Sequence, residues 1–241
     1  MQASDLFLEL ARAGPIPHGF EDSVYARLLT AYGFERHAWG WGLKEQSPIL
    51  ITAHLDTVKG GHPLEVNVHG GIAKGDGMLG GDDKAGVATV LALSLRDTRP
   101  GFALFFGEEV GCVGSTKARQ ELRPEVVVSV DRSGISEVIY AQLGKQTASH
   151  EAARWLAKQL GMGHKPSPDG IYTDSAVFAG VAYECMNLAA GYYGAHSDND
   201  VQDLVYLDEL VSALAQVDWA NMPIVRGKEE IWMQGGSSFL C

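Results

Sequence analysis

The sequence predicts an α/β fold, a three-layer α/β/α sandwich, and two observations carry that reading. Apolar runs of strand length alternate with segments of helical period along the whole chain. The residues able to do chemistry fall just beyond the ends of those runs, where ligands bind in sheets covered by helices on both faces.

The runs at 49–53, 102–106, 125–130, 137–141 and 184–189 read as buried strands. Between them, 84–95, 150–160 and 207–219 carry apolar residues at three-and-four spacing, as half-buried helices do. An amphipathic helix opens the chain at Ser4 or Asp5 and is stopped by Gly14-Pro15. There is no internal repeat, low-complexity tract or Pro/Ser-rich linker.

At 241 residues the chain has room for one large domain or two small ones, and 46% apolar residues suffice for a sizeable core. The apolar runs are too short for a membrane span, and the opening has neither the basic start nor the apolar block of a secretory signal. Cys112, Cys185 and Cys241 are odd in number and scattered, which suits a reducing cytoplasm better than a disulfide framework. A formal charge of −11 argues against nucleic acid, whose phosphates demand clustered Lys and Arg. Some of that acidity is expected to neutralise bound cations.

His54-Leu-Asp56 follows the first strand. Residues two apart on an extended segment point the same way, so the imidazole can ligate a metal while the carboxylate takes its other N–H. A satisfied polar pair is the plainer role. Asp82 and Asp83 lie between glycines (Gly80-Gly81 before, Gly86 after) ahead of a helix. A helix cap accounts for one aspartate but not for two; Asp82 is the choice for bridging two cations, with Asp83 behind it. Glu108 and Glu109 end a wholly apolar strand. Neighbouring extended residues face opposite ways, so one can ligate while the other serves as general base to a bound water. Asp131 and His196, each a turn residue or a ligand on its own, complete a series in which nearly every member sits at a strand end.

That series resembles the co-catalytic zinc exopeptidases, the superfamily of peptidase T, acetylornithine deacetylase, carboxypeptidase G and the bacterial leucyl aminopeptidases. The resemblance rests on Thr52-Ala-His54-Leu-Asp56-Thr-Val58, Leu79-Gly-Gly-Asp82-Asp83-Lys-Ala-Gly86 and Phe106-Gly-Glu108-Glu109-Val-Gly111. Val130-Asp131, Tyr172-Thr-Asp174-Ser175, Ala195-His196-Ser197 and the Pro15 to Glu21 segment extend it over nearly the whole chain. It implies a mixed, mostly parallel central sheet of zinc-exopeptidase type. It also implies one metal on His54 and Asp131, another on Glu109 and His196, and Asp82 bridging them. Asp56 would orient His54, and Glu108 would be general base. The nitrogen and oxygen ligands suit two zinc ions, with cobalt or manganese as alternatives.

Several members of the superfamily carry an inserted domain of roughly a hundred residues. Residues 57–81 and 132–172 are the places for it and are too short, so a single catalytic domain over 1–241 without a lid is expected. Tyr172 or Tyr192 then becomes the candidate donor to the oxyanion, and Tyr192-Tyr193 a candidate wall of the substrate pocket. His150, on a helix, reads as exposed. The tail from Gly227 on places Ile231, Trp232 and Met233 among polar residues and glycines, as an arm over an edge strand, a contact with a second subunit, or a core-packing arm.

Two rivals lose ground on the residues themselves. Gly75-Asp-Gly77-Met-Leu-Gly80 matches the dinucleotide GxGxxG spacing, but a glycine pair breaks the segment before it, and Asp76, Asp82 and Asp83 would repel a pyrophosphate. No GxSxG elbow occurs, and Cys112 has no positive partner in sequence. A non-catalytic scaffold would be expected to have lost ligands or Glu108, and none is missing. What remains is amide hydrolysis: an aminopeptidase or dipeptidase on short peptides, or a deacylase of N-acyl amino acids, with oligomerisation open.

Overall fold

A computed structural model describes residues 1–227 and has the predicted α/β architecture. Helices α1 (Ala3–Arg12) and α2 (Glu21–Ala31) lead into the hairpin β1 (Glu35–His37) and β2 (Gly40–Leu43) and then β3 (Ile49–His54). A second hairpin, β4 (Val66–His69) and β5 (Ile72–Gly75), precedes α3 (Gly81–Ser94), β6 (Gly101–Phe105), α4 (Val113–Glu121) and β7 (Val126–Arg132). Then come β8 (Glu137–Ile139), the short pair β9 (Ala141–Gln142) and β10 (Lys145–Gln146), α5 (His150–Leu160), β11 (Lys165–Ser167) and α6 (Asp174–Val177). The last elements are β12 (Glu184–Ala189), β13 (Tyr192–Tyr193), β14 (Val201–Asp203) and α7 (Leu204–Leu214).

The main sheet runs β1-β2-β6-β3-β7-β12-β8-β11. Its centre, β6-β3-β7-β12, is parallel, while the β2–β6 and β12–β8 pairings are antiparallel. Parallel neighbours end on the same edge, so β3, β6, β7 and β12 deliver their carboxyl ends side by side. The pleat divides their residues between two cores. Ile49, Ile51, Val126, Val128, Phe102 and Leu104 join the larger one with α1, α3, α5 and α7. Leu50, Val127, Ala103, Phe105 and Cys185 join the smaller one with Trp39 and Phe178. Strands buried on both faces are apolar throughout, which is why they read as continuous runs.

A smaller antiparallel sheet, β13-β14-β5-β4, is absent from the sequence reading. The glycine pair that breaks 66–73 is its turn: Gly70 and Gly71 have φ of 57° and 83°, the positive values a tight hairpin needs at both central positions. The sheet is partly exposed, so its strands have no long apolar signature. The final helix also differs from expectation. It begins at Leu204, where the Asp203 side chain accepts from the Tyr206 amide at 2.9 Å, and it ends at Leu214. Val217 and Trp219 are buried beyond it and extended the apparent period. In α1, Ser4 is no cap; its hydroxyl and amide both donate to Asp208, at 2.6 and 2.9 Å, tying α1 to α7. The 150–160 helix has the expected bounds, capped by Ser149 and stopped by Gly161 at φ 66°.

Residues 57–81 hold the β4–β5 hairpin, and 132–172 add β8 and β11 to the main sheet. Among the described residues no helix is long and apolar enough to cross a membrane.

Candidate metal centre

His54 is the last residue of β3 and is 1% exposed. Glu108 and Glu109 follow β6, Asp131 lies at the end of β7, and His196 sits on the loop between β13 and β14. Asp82 enters from above, at the start of α3. The parallel edge, this helix start and the β13–β14 loop bring all five candidate ligands together.

The contacts form two sets that share Asp82. On one side His54 Nε2 lies 3.0 Å from Asp82 Oδ1 and 3.7 Å from Asp131 Oδ1. On the other, His196 Nε2 lies 3.2 Å from Asp82 Oδ2 and 2.9 Å from Glu109 Oε1. Tetrahedral zinc with ligands at about 2.0–2.1 Å sets ligand atoms roughly 3.3 Å apart; the first set brackets that spacing and the second lies just inside it. Glu109 Oε1 is buried and has no hydrogen-bond partner despite its nearness to His196. Its 2.9 Å contact with His196 Nε2 leaves this oxygen available to a cation. Side chains able to hold a metal are thus gathered at this edge, His54, Asp82 and Glu109 among them.

The surroundings fix these side chains. His54 Nδ1 lies 2.9 Å from the main-chain carbonyl of Asp56 and 3.5 Å from its carboxylate, so the carbonyl sets the tautomer. The Asp56 carboxylate is engaged elsewhere, accepting from the amides of Glu108 at 3.0 Å and Glu109 at 3.2 Å. Asp83 accepts from the His54 amide at 3.1 Å and the Gly86 amide at 3.0 Å. Each of its oxygens thus holds one backbone amide, while its carboxylate also lies within 4.8 Å of ligand atoms of His54 and Asp131. Asp131 accepts from the Thr173 and Tyr192 hydroxyls, while its backbone pairs with the Asn187 side chain.

Charge follows from this crowding. Burial pushes Glu108 up to about 9, with the charges of Asp131, Asp174 and Asp82 adding to it against the pull of His54. Burial raises Asp131 and Glu109 as well, reinforced by the charge of Asp82. Burial opposes charge on His54, yet Asp131, Asp56 and Asp82 hold its imidazole well above the ordinary range. Asp82 holds His196 at about 9. Carboxylates packed this closely repel one another, and cations at the centre relieve that repulsion.

With the geometry in hand, residues 40–212 match the profile of Peptidase family M28.

The chain belongs to peptidase family M28.

It is thereby a metal-dependent hydrolase of the co-catalytic zinc exopeptidase superfamily. Solved structures of similar fold include the aminopeptidase PepT of Bacillus cereus ATCC 10987. Identity is 18% and the TM-score 0.74, with 90% of this chain and 97% of that chain covered. A tripeptidase from Staphylococcus aureus subsp. aureus Mu50 is 15% identical, with a TM-score of 0.73 over 95% of this chain and 98% of that one. A curated relative from Bacillus subtilis (strain 168), the uncharacterized protein YqjE, is 36% identical over 83 residues. That match covers 31% of this chain and spans 22% of the relative's length.

Within this M28 chain, one sequence expectation changes. Tyr192 is 3% exposed and its hydroxyl donates at 3.2 Å to Asp131 Oδ1, the oxygen on the His54 side, which ties it to a candidate ligand rather than to an open pocket wall. Tyr172 is half-buried against the Trp39–Phe178 core, next to the Thr173 that reaches Asp131. His150 is exposed and hydrogen-bonded with Arg154 at 3.0 Å, as its helical position predicts. The Ile231–Met233 part of the tail lies outside the described residues. Sequence reasoning missed Thr173, Asn187 and Asp200. A buried polar residue inside an apolar strand was the available signal for Asn187, and the Thr-Asp-Ser motif for Thr173.

Proposed function

We propose that this chain is an aminopeptidase that removes N-terminal residues from short peptides with water activated at two divalent ions, zinc fitting best. The carrying observation is the pair of nitrogen-and-oxygen sets that meet at Asp82, with Glu108 on the adjoining loop. When bound, the ions would acidify a water and polarise the scissile carbonyl. His54 and Asp131 would hold one, Glu109 and His196 the other, and Asp82 both. Glu108 would take the water's proton and deliver it to the leaving nitrogen.

Charge favours a substrate with a free amine. Three cations on the segments around the centre are engaged: Arg132 pairs with Glu137 at 2.8 Å, Lys59 with Asp198 at 3.4 Å, and Lys84 donates to the Gly14 and Leu79 carbonyls at 2.6 and 3.0 Å. A deacylase needs a cation for the carboxylate of its N-acyl substrate, whereas an aminopeptidase needs acceptors for an ammonium. Carboxylates dominate here. The aminopeptidase and the tripeptidase of similar fold are in keeping with this reading. Tyr172 is carried forward as a substrate contact. The remainder of the reading is one catalytic domain without a lid, acting in the cytoplasm, with buried Cys112 and Cys185 thiols suited to a reducing compartment.

The test compares leucyl p-nitroanilide with N-acetyl-leucine on zinc-loaded protein. Preferential cleavage of the free-amine substrate, abolished by chelation, is expected. Preference for N-acyl amino acids would replace the aminopeptidase reading with the deacylase one.

A further inference from the structure

Four residues beyond His196 lies a carboxylate that neither metal set uses. Asp200 is 0% exposed. Its Oδ2 accepts from the amides of Gly80 at 2.7 Å and Gly81 at 2.9 Å, the two residues that lead into Asp82. The other face of the same strap is held by Lys84, whose Nζ donates to the Leu79 carbonyl at 3.0 Å. A Cβ on Gly81 would come within 2.8 Å of Tyr192 Cβ and 3.0 Å of Asp200 Oδ1, so glycine is needed for this close approach. The loop that carries His196 is itself tightly closed. Ser197 Oγ donates to the Gly194 carbonyl at 2.7 Å, and the Asp200 amide donates to the Ser197 carbonyl at 3.2 Å.

We propose that Asp200 is a positioning residue for the metal centre, fixing Asp82 against the His196 loop through the Gly80 and Gly81 amides. This rests on reading Asp82 and His196 as ligands. A short tether between the two ligands' backbones limits how far their carboxylate and imidazole drift apart. The alternative is a carboxylate that satisfies two turn amides and matters to stability alone.

Both amides bond to one oxygen, which separates the alternatives. Asparagine keeps an acceptor of the same reach; alanine keeps none. Zinc binding by calorimetry and the visible spectrum of the cobalt form would be measured on the full chain for wild type, D200N and D200A. Leu156→Ala, a core truncation in α5, controls for lost stability. D200A is expected to bind zinc about 10- to 100-fold more weakly, with an altered cobalt spectrum and a lower kcat at unchanged KM. D200N should stay within about threefold of wild type, and Leu156→Ala should not change affinity. Wild-type affinity and spectrum in D200A, or a D200N as weak as D200A, would overturn the proposal. Should D200A fail to fold, Asp200→Ser carries the same outcomes, its hydroxyl being too short for both amides. A wild type that binds no zinc would instead sink the metal-centre reading itself.

Discussion

The carboxylate of Asp56 grips the amide of Glu108 at 3.0 Å, on the same Oδ1 that lies 3.5 Å from His54 Nδ1. Its other oxygen takes the Glu109 amide at 3.2 Å. One buried side chain at the end of β3 therefore fixes the loop after β6, and with it both glutamates.

Asp56→Asn is expected to lower kcat about 10- to 100-fold, because the amide nitrogen it introduces must face one of two backbone N–H groups. It should also reduce stability by about 1–3 kcal/mol through the amide left unpaired. Steady-state kinetics and urea denaturation check the two parts. An unchanged kcat would show that the glutamate loop holds its place without Asp56.

Glu108→Gln should keep the metal sites and lose turnover by roughly 100- to 10,000-fold. Zinc content and kcat measured on one preparation decide it. A variant with wild-type kcat would remove Glu108 from the proton path, and one without zinc would make Glu108 a ligand.

Gly86→Ala is expected to destabilise the fold by about 1–3 kcal/mol. A Cβ there would meet the Val130 carbonyl and lie 2.5 and 2.6 Å from the Asp83 oxygens, in the groove where α3 crosses β7. Urea denaturation of the metal-free protein isolates this effect from zinc binding. A midpoint equal to wild type would mean that the helix shifts freely away from the strand.

His164 gives a pH dependence separate from the metal centre. Burial pushes its imidazole down to about 4, and its Nε2 lies 2.8 Å from the Tyr206 hydroxyl. Between that value and the unfolded value of about 6.5, the unfolded chain binds the extra proton. Stability from His164 is thus complete above about pH 6.5 and is lost as the pH falls towards 4. His164→Leu should flatten this part of the stability–pH curve relative to wild type. Parallel curves for the two proteins would contradict the assignment.

The central strands and their chemistry-bearing ends were legible because burial on both faces makes a strand continuously apolar, as at Ile49–His54. The co-location of His54, Glu109 and Asp131 was legible for the same reason, since parallel strands share an edge. Less was visible where partners are distant in sequence. Asp200 reads as one more loop acid until the fold sets it beside Gly80 and Gly81. Tyr192 stood in a motif near a candidate ligand, but only its partner in space reveals that its hydroxyl reaches Asp131. The β13-β14-β5-β4 sheet was invisible because its strands are short and half exposed, without alternation long enough to register.

The most direct test of the account is zinc stoichiometry by equilibrium dialysis and elemental analysis, on wild type and on Asp82→Ala. The shared carboxylate predicts two zinc ions per wild-type chain and fewer than one in the variant. A wild type that binds no zinc, or an Asp82→Ala variant that retains two ions, would contradict it.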